Sequence, residues 1–453
     1  MNINFQKNLI NLALSLDKPL YAVGGVVRNF LIDGSMSVDV DLSSAIKPAD
    51  FKKALLDFGF TVTAEYPRTN TVLFSDGQRR YEYTAFRREK YVGGEHTPIS
   101  TEPTDNLYED ALRRDFKCNA VYYDIAKGVI VDPLLGVRDI EDRRLDTVVS
   151  PERVFSSDGL RLLRLARFVG ELNFTPTVAV IEAAKHHADN ILDISPERIY
   201  AEMNMILTAD VKYPFSSPIG HYRALKVLDE TRVLDRIFPE LTDGRGMAQR
   251  ADFHKYDVLE HSLRCVAYCH IGVRWGALMH DVGKPFCFRR DGYYYHHFSE
   301  GEKIAEKILT RLKADKATIK QVKYLVKEHM VDLDCSMKES KVRKFLVKNY
   351  DSIEQLLDVK QADFRASLEV DYTAPTVVKW RKILSKMKKD GTPFTIKDLK
   401  ISGQDLIKLG YKDKEIGKEL KNLWDFAILY PEKNCFEVLL TRAEQDLKKL
   451  KNV

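Results

Sequence analysis

At 453 residues, with a net charge of +5 and 44% hydrophobic residues, the chain exceeds what one core usually organises and is long enough for about two to four domains. So modest a charge does not by itself announce a nucleic-acid partner, and no run approaches the roughly 18 to 20 apolar residues of a membrane span. Cys118, Cys265, Cys269, Cys287, Cys335 and Cys435 form no CxxC pair and no disulfide framework, and the opening residues lack a secretory signal's basic flank and cleavage site. The expectation is a soluble, cytoplasmic globular protein with reduced thiols and no membrane partner.

The first nineteen residues read as a short amphipathic helix. Short β-rich runs follow at 20–24, 38–42, 70–74, 81–86 and 120–125, and after about residue 150 strand signals nearly vanish. The predicted fold class is therefore α+β, a mixed α/β head followed by a long helical body. The segment 87–100, rich in charge, glycine and turn formers, reads as a mobile loop beside the head's active site. Thr208 to Gly220 and Thr242 to Arg250 read as inter-helix connections. Basic residues gather in 161–167, in 379–391 and in the last forty residues, faces suited to a phosphate backbone or to solvent.

Two constellations carry chemistry. In the first, a strand runs into the Gly24-Gly25 turn and a helix, and a second strand delivers Asp39 and Asp41. Alternation puts these carboxylates on one strand face, where they can share magnesium ions that activate an attacking hydroxyl and hold a triphosphate. The glycines let backbone N–H groups approach phosphate oxygens, and Arg28 adds positive charge at the helix start. Further on, Arg113, Arg114 and Asp115 precede an apolar strand.

These residues, with DPLLGVRDIEDRRL (132–145), FSSDGLRLLRLARF (155–168), SPERIYAEM (195–203) and, more weakly, ISGQDLIKLGYKDKEIGKEL (401–420), resemble the class II tRNA nucleotidyltransferases, the bacterial CCA-adding enzymes and their poly(A) polymerase relatives. The resemblance implies that Asp39 and Asp41 hold Mg2+, that Glu82 is a third acid, and that Arg114, Asp115 and Asn119, with Arg113 nearby, hold the ribose and phosphates of the incoming nucleotide. Asp158 and Arg161 are expected to act as an amino-acid template for the Watson–Crick edges of CTP and ATP. Arg164 and Arg167 follow Arg161 at intervals of three, so the forks are expected on roughly one side of a helix, and both are expected to join it in binding the nucleotide. Two positions depart from the family pattern: Ser157 stands where relatives carry Glu before the template Asp, and Asn29 where they carry Asp after the turn's Arg. Ser157 leaves room for an enzyme that adds only the terminal A. The Gly-Arg-Arg-Phe type signature of poly(A) polymerases is absent from 65–78, and the loop at 87–100, shortened in CC-only enzymes, is intact.

The second constellation spreads His261, His280-Asp281, His297 (or His296) and His329 over successive predicted helices, a ligand set for one or two transition metals with Asp281 bridging. It resembles the HD-domain phosphohydrolases, and the resemblance assigns their last acidic ligand to Asp363. The chain is thus expected to divide into a nucleotidyltransferase head (1–148), a helical neck bearing the template (149–240), an HD domain (241–370) and a basic helical tail that binds tRNA (371–453). The implied activity is CCA addition to tRNA from CTP and ATP with Mg2+, alongside hydrolysis of phosphate esters at the HD centre. The rivals are A-only addition, or an HD phosphohydrolase whose head only binds RNA.

Overall fold

A computed structural model describes residues 3–36, 38–90, 100–249 and 255–451. The chain forms two compact units, one of Met1–Thr242 with Arg311–Ala314, the other of Asp243–Thr310 with Asp315–Val453.

The first unit opens with helix α1 (Lys7–Ser15), which buries Leu9, Leu12 and Ala13. Strand β1 (Tyr21–Val23) leads through Gly24 into α2 (Gly25–Asp33), and β2 (Asp39–Ser44) is followed by α3 (Pro48–Asp57). Strands β3 (Thr61–Tyr66), β4 (Thr71–Ser75) and β5 (Arg80–Ala85) complete one side of the sheet. A separate hairpin pairs β6 (Arg87–Lys90) with β7 (Ser100–Pro103). The loop expected over 87–100 is thus a hairpin at both ends, and its centre, 91–99, lies outside the described residues. After α4 (Leu107–Leu112), strands β8 (Tyr122–Asp124) and β9 (Val129–Val131) close a seven-stranded sheet of order β3-β4-β5-β2-β1-β8-β9. Only β2 and β5 run parallel in it.

Alternation divides the two central strands cleanly. Val40 and Leu42 of β2 and Tyr81 and Tyr83 of β5 are buried, whereas Asp39, Asp41, Arg80 and Glu82 face the other way and are exposed. The inward rings stack, Tyr83 on Phe51 of α3 at 3.8 Å and Tyr81 on Phe74 at 4.9 Å between centroids. The outward face is left to the carboxylates.

Helix α5 (Gly136–Glu141) and the short strand β10 (Arg144–Leu145) lead to α6 (Pro151–Ser157) and α7 (Leu160–Leu172). Strand β11 (Thr175–Pro176) pairs with β10, and α8 (Val178–His186), α9 (Pro196–Leu207), α10 (Gly220–Glu230), α11 (Val233–Ile237) and α12 (Pro239–Thr242) follow. The chain breaks between α6 and α7 because Asp158 is extended, at φ −153° and ψ 109°, and its Oδ1 accepts from Leu160 N at 2.9 Å. Helix α7 lies against α10 through glycines: a Cβ on Gly170 would stand 2.8 Å from the Gly220 carbonyl oxygen, and one on Gly220 would stand 2.3 Å from that of Gly170.

The second unit is helical: α13 (Val258–Tyr268), α14 (Arg274–Met279), α15 (Lys284–Asp291), α16 (His297–Arg311), α17 (Lys316–Glu328), α18 (Glu339–Lys348), α19 (Ile353–Leu368), α20 (Pro375–Lys389), α21 (Gly403–Leu409), α22 (Lys414–Leu429) and α23 (Phe436–Lys451). Asp257 and Asp315 cap α13 and α17, accepting from Glu260 N and Thr318 N. A small core of Leu406, Tyr411, Leu423, Leu439 and their neighbours holds the last helices. All six cysteines are free, and no helix among the described residues is long and apolar enough to cross a membrane.

Candidate functional site

The parallel register of β2 and β5 sets Asp41 opposite Glu82 and Asp39 opposite Arg80. Asp41 and Glu82, with Arg87, Arg113 and Arg114, line a cleft of about 1010 Å³ whose other walls include Tyr66, Pro67 and Leu73. Asp41 is open to solvent along the cleft but crowded by the surrounding protein, and this desolvation raises its carboxyl above its ordinary range; Arg114 and Arg28 oppose this, and Asp39 adds to it. Glu82 is raised by burial and then by Asp41. Asp39 is paired with Arg80 at 2.8 Å where both are exposed, an ion pair that a stronger partner can displace.

Gly24 turns at φ +74° and ψ −136°, and a Cβ there would stand 3.0 Å from Asp41 Oδ2. Only glycine brings the backbone this close to the carboxylate. Arg28, one turn into α2, is buried. It donates through Nε and Nη2 to Asn29 Oδ1 (3.1 and 2.8 Å), through Nη1 to Asn119 Oδ1 (2.5 Å) and through Nη2 to the Tyr213 hydroxyl (3.3 Å). Asn29 therefore supports Arg28 as an Asp would, without neutralising it.

Arg113 and Arg114 are anchored by the fully buried Asp110, at 2.7 and 3.1 Å. Burial alone would raise Asp110, but Arg114, then Arg113 and the Tyr122 hydroxyl hold it below the usual range. Sequence reasoning missed this residue, although its spacing three and four before the arginines was a readable helical signal. Asp115 takes Phe116 N and Asn119 Nδ2 on Oδ1 (2.8 and 3.1 Å) and Arg164 on Oδ2 (Nε 2.7 Å, Nη2 2.5 Å). Burial works against its charge, yet Arg164 and these hydrogen bonds hold it far below the ordinary range. A continuous path thus runs Arg28–Asn119–Asp115–Arg164 from the glycine turn to α7.

The three arginines of α7 diverge. Arg161 donates to Ser157 Oγ (3.0 Å) and to the carbonyl of Arg113 (2.7 Å), so the serine at this departure from the family pattern does contact the arginine. Arg164 reaches Asp115, whereas Arg167 turns to Glu202 (3.5 Å), Glu171 (3.9 Å) and Met205. Arg28, Arg164 and Arg167 all lie over the Phe168 ring at 5.4, 5.1 and 4.9 Å, a cation–π hub that nothing in the helical spacing had singled out. Asp158 is partly exposed and has Arg198 within 3.9 Å.

In the second unit His261 (α13), His280 and Asp281 (the turn after α14), His297 (start of α16), His329 (end of α17) and Asp363 (α19) converge, all buried. Asp281 Oδ2 lies 3.6 Å from His261 Nε2 and 3.2 Å from His280 Nε2, and its Oδ1 lies 3.3 and 3.7 Å from His297 and His329 Nε2. Asp363 Oδ1 completes the first group, 3.0 Å from His261. His296, the alternative to His297, is exposed at φ +61°. Lys284, which sequence reasoning passed over, bonds Asp281 Oδ2 at 2.6 Å.

The donor set suits metal ions. The Nδ1 atoms of His280, His297 and His329 lie 2.7, 2.8 and 2.7 Å from the carbonyls of Ala277, Tyr294 and Val326, which assigns them as N–H donors and turns each Nε2 toward the cluster, the atom a neutral imidazole offers to a metal. The Nε2 atoms of His297 and His329 lie 3.3 Å apart, close enough to share one cation. Burial, the first cause, and the neighbouring His280 and His297 lower His329 to about 4 against the opposing pull of Asp281, so its imidazole is neutral at pH 7.

Residues 20–146 match the family described as "Poly A polymerase head domain", 173–244 "Probable RNA and SrmB- binding site of polymerase A", and 258–363 "HD domain". The chain is 32% identical to an A-adding tRNA nucleotidyltransferase of Deinococcus radiodurans over 76% of each chain, and 28% identical to a CCA-adding enzyme of Bacillus pumilus over 94% of each. Its fold is similar to that of the Bacillus stearothermophilus CCA-adding enzyme in complex with CTP, with a TM-score of 0.67 and 21% identity over 99% of this chain and all of that one. It is likewise similar to the Thermotoga maritima CCA-adding enzyme complexed with tRNA, with a TM-score of 0.63 and 18% identity over 97% and 94%. By its identity to these relatives along most of its length, the chain belongs to the tRNA nucleotidyltransferase family.

Proposed function

We propose that this chain builds or repairs the 3′ CCA end of tRNA in the cytoplasm, taking CTP and ATP without a nucleic-acid template. What carries the reading is the wall formed by Asp41 and Glu82 in register, with the Gly24 backbone against Asp41 and Arg113 and Arg114 across the cleft. The RNA 3′ oxygen attacks the α-phosphorus, a new O–P bond forms, the bond to pyrophosphate breaks, and the hydroxyl proton leaves to a carboxylate at the cleft wall. Asp39 and Asp41 offer hard oxygen donors suited to Mg2+, which when bound supplies charge neutralisation and hydroxyl activation. Arg114, with Arg113 beside it, meets the triphosphate. Asp115 and Asn119 act by holding Arg164 and Arg28 in place. Asp158 and Arg161 offer an acceptor and a donor edge for cytosine or adenine; Arg167 supports α7 from behind.

The working division is a head over 1–148, a neck over 149–240, an HD domain over 241–370 and a tail over 371–453 that contacts tRNA backbone. The HD domain is the candidate centre for hydrolysis of phosphate esters at RNA ends; one or two transition-metal ions, if bound there, would supply a water of lowered pKa. Asp281, Asp363 and the four imidazoles would hold them, and Lys284 orients Asp281.

A-only addition is the second reading, favoured by the Deinococcus relative's activity and by a neutral Ser157 on Arg161. Incorporation into tRNA transcripts ending before CCA, after C and after CC tests both. Extension of all three to CCA is expected; extension of the CC-ended transcript alone, with ATP, would establish the second reading, and extension of none would refute both.

A further inference from the structure

The segment that delivers His297 to the metal cluster also carries four large exposed rings: Phe286 (40% exposed), Phe288 (44%), Tyr293 (64%) and Tyr295 (75%). Scattered exposed aromatics need no explanation, but a group interleaved with the exposed Arg289 and Arg290 does. Tyr294 explains how the group is fixed. Its ring stacks on Phe288 at 5.4 Å, its hydroxyl donates to the Ala248 carbonyl at 2.6 Å, and its own carbonyl receives His297 Nδ1–H at 2.8 Å. With Tyr294 clamped inward, the flanking Tyr293 and Tyr295 project outward side by side, centroids 5.9 Å apart and planes at 33°. Tyr295 stands two residues before His297, so their Cα atoms are at most about 7 Å apart, roughly one nucleotide from the cluster.

We propose that Tyr293 and Tyr295 form a stacking platform for the last bases of a single-stranded RNA end, whose terminal phosphate ester is thereby presented to the His–Asp cluster. This rests on the phosphohydrolase reading of that cluster. Base stacking on aromatic rings is tolerant of sequence, which suits an enzyme that meets ends of varied composition. Arg289 and Arg290 make ion pairs near the surface with Asp243, Asp291 and Glu300, weak partners that a phosphate can replace, and Arg290 also lies over the Phe286 ring at 5.4 Å. An apolar peptide fits less well, because arginines punctuate the rings and each tyrosine carries a hydroxyl.

The test uses the full chain and its Y293A/Y295A and Y293F/Y295F variants. The first readout, in the absence of added metal, is binding of a trinucleotide with 2-aminopurine next to a 2′,3′-cyclic phosphate end, followed by fluorescence quenching. Loss of both rings should weaken binding about tenfold or more, and the phenylalanine variant should restore it. The second readout is metal-supported hydrolysis: KM for the trinucleotide should rise similarly, while turnover of bis(p-nitrophenyl) phosphate, which has no base, stays unchanged. Unchanged binding in Y293A/Y295A overturns the platform, as does an equal loss on both esters. If the unaltered chain with added metal hydrolyses neither ester, the phosphohydrolase reading fails and takes the presentation role with it, while quenching still decides whether the rings hold RNA. Equal binding of an apolar amphipathic peptide, lost in the same variant, would assign the surface to protein and overturn the proposal.

Discussion

Asp115→Asn removes one charge and almost no volume, and the structure gives its cost. Asp115 Oδ1 accepts from two donors and Oδ2 from the Arg164 fork. An amide has one oxygen, so in either orientation an NH2 group meets a donor. Breaking a buried ion pair costs about 3–5 kcal/mol, and each hydrogen bond to a charge contributes about 1.5–3 kcal/mol. The Arg164 side chain is 33% exposed, so water recovers part of its loss. That leaves a destabilisation of about 2 kcal/mol and, for a unit of this size, a Tm lowered by about 4–8 °C. The pH dependence has a fixed sign. A depressed carboxyl contributes fully above the unfolded value of about 3.9 and loses its contribution only as pH falls through the folded value. The deficit of the variant should therefore be equal at pH 5 and pH 8 and shrink only in strong acid. Calorimetric melts at both pH values decide the matter. A change below about 1 °C, or a deficit at pH 8 that disappears by pH 5, would refute the assignment of Asp115 as a buried ionised hub.

Gly24→Ala forces a side chain onto a φ of +74° and against Asp41 Oδ2; strain of about 1–3 kcal/mol and a fall in nucleotide incorporation of about a hundredfold are expected in steady-state assays, and unchanged kinetics would contradict the close approach. Asp41→Ala should lower incorporation about a thousandfold while leaving hydrolysis of bis(p-nitrophenyl) phosphate intact; parallel loss of both would mean that the two sites are not independent. His329→Ala removes a candidate ligand from the Asp281 Oδ1 side only, so mass spectrometry should find two bound transition metals in the unaltered chain and one in the variant, and equal stoichiometry would count against a two-ion centre.

The strands of the head were legible where alternation or an apolar run marked them, as in β1, β2, β4, β5 and β8. Strand β3 was not, because Thr61–Tyr66 lies at the edge with both faces partly exposed and so lacks a clean period. The hairpin β6–β7 was hidden because β6, Arg87–Lys90, is charged at every position and the segment after it carries two glycines, so no apolar alternation marks the strands. Among site residues, Asp39, Asp41 and the histidines stood out because metal chemistry limits the residue types. Tyr213 did not, since it reaches Arg28 across 185 residues; Asp110 and Phe168 were overlooked although Arg113, Arg114, Arg164 and Arg167 stand within one helical turn of them, and only the contact of Phe168 with Arg28 is distant in sequence. Helical spacing foretold that Arg161, Arg164 and Arg167 share a helix, but long side chains took them to Arg113, Asp115 and Glu202 respectively, which periodicity cannot encode.

The glycine-to-glycine seat of α7 on α10 bears on how selectivity in this enzyme can change. Where Gly170 and Gly220 meet, the separation of the two helices is set by main-chain atoms, so repacking with smaller residues cannot bring them closer, and any larger residue drives them apart. Helix α7 therefore behaves as a fixed ruler. If Asp158 and Arg161 read the nucleotide as proposed, a lineage that altered its choice would have to do so by exchanging side chains around the start of α7, at Ser157, Asp158 or Arg161, and not by sliding the helix. Natural variation should then be freer at those positions than at the two glycines.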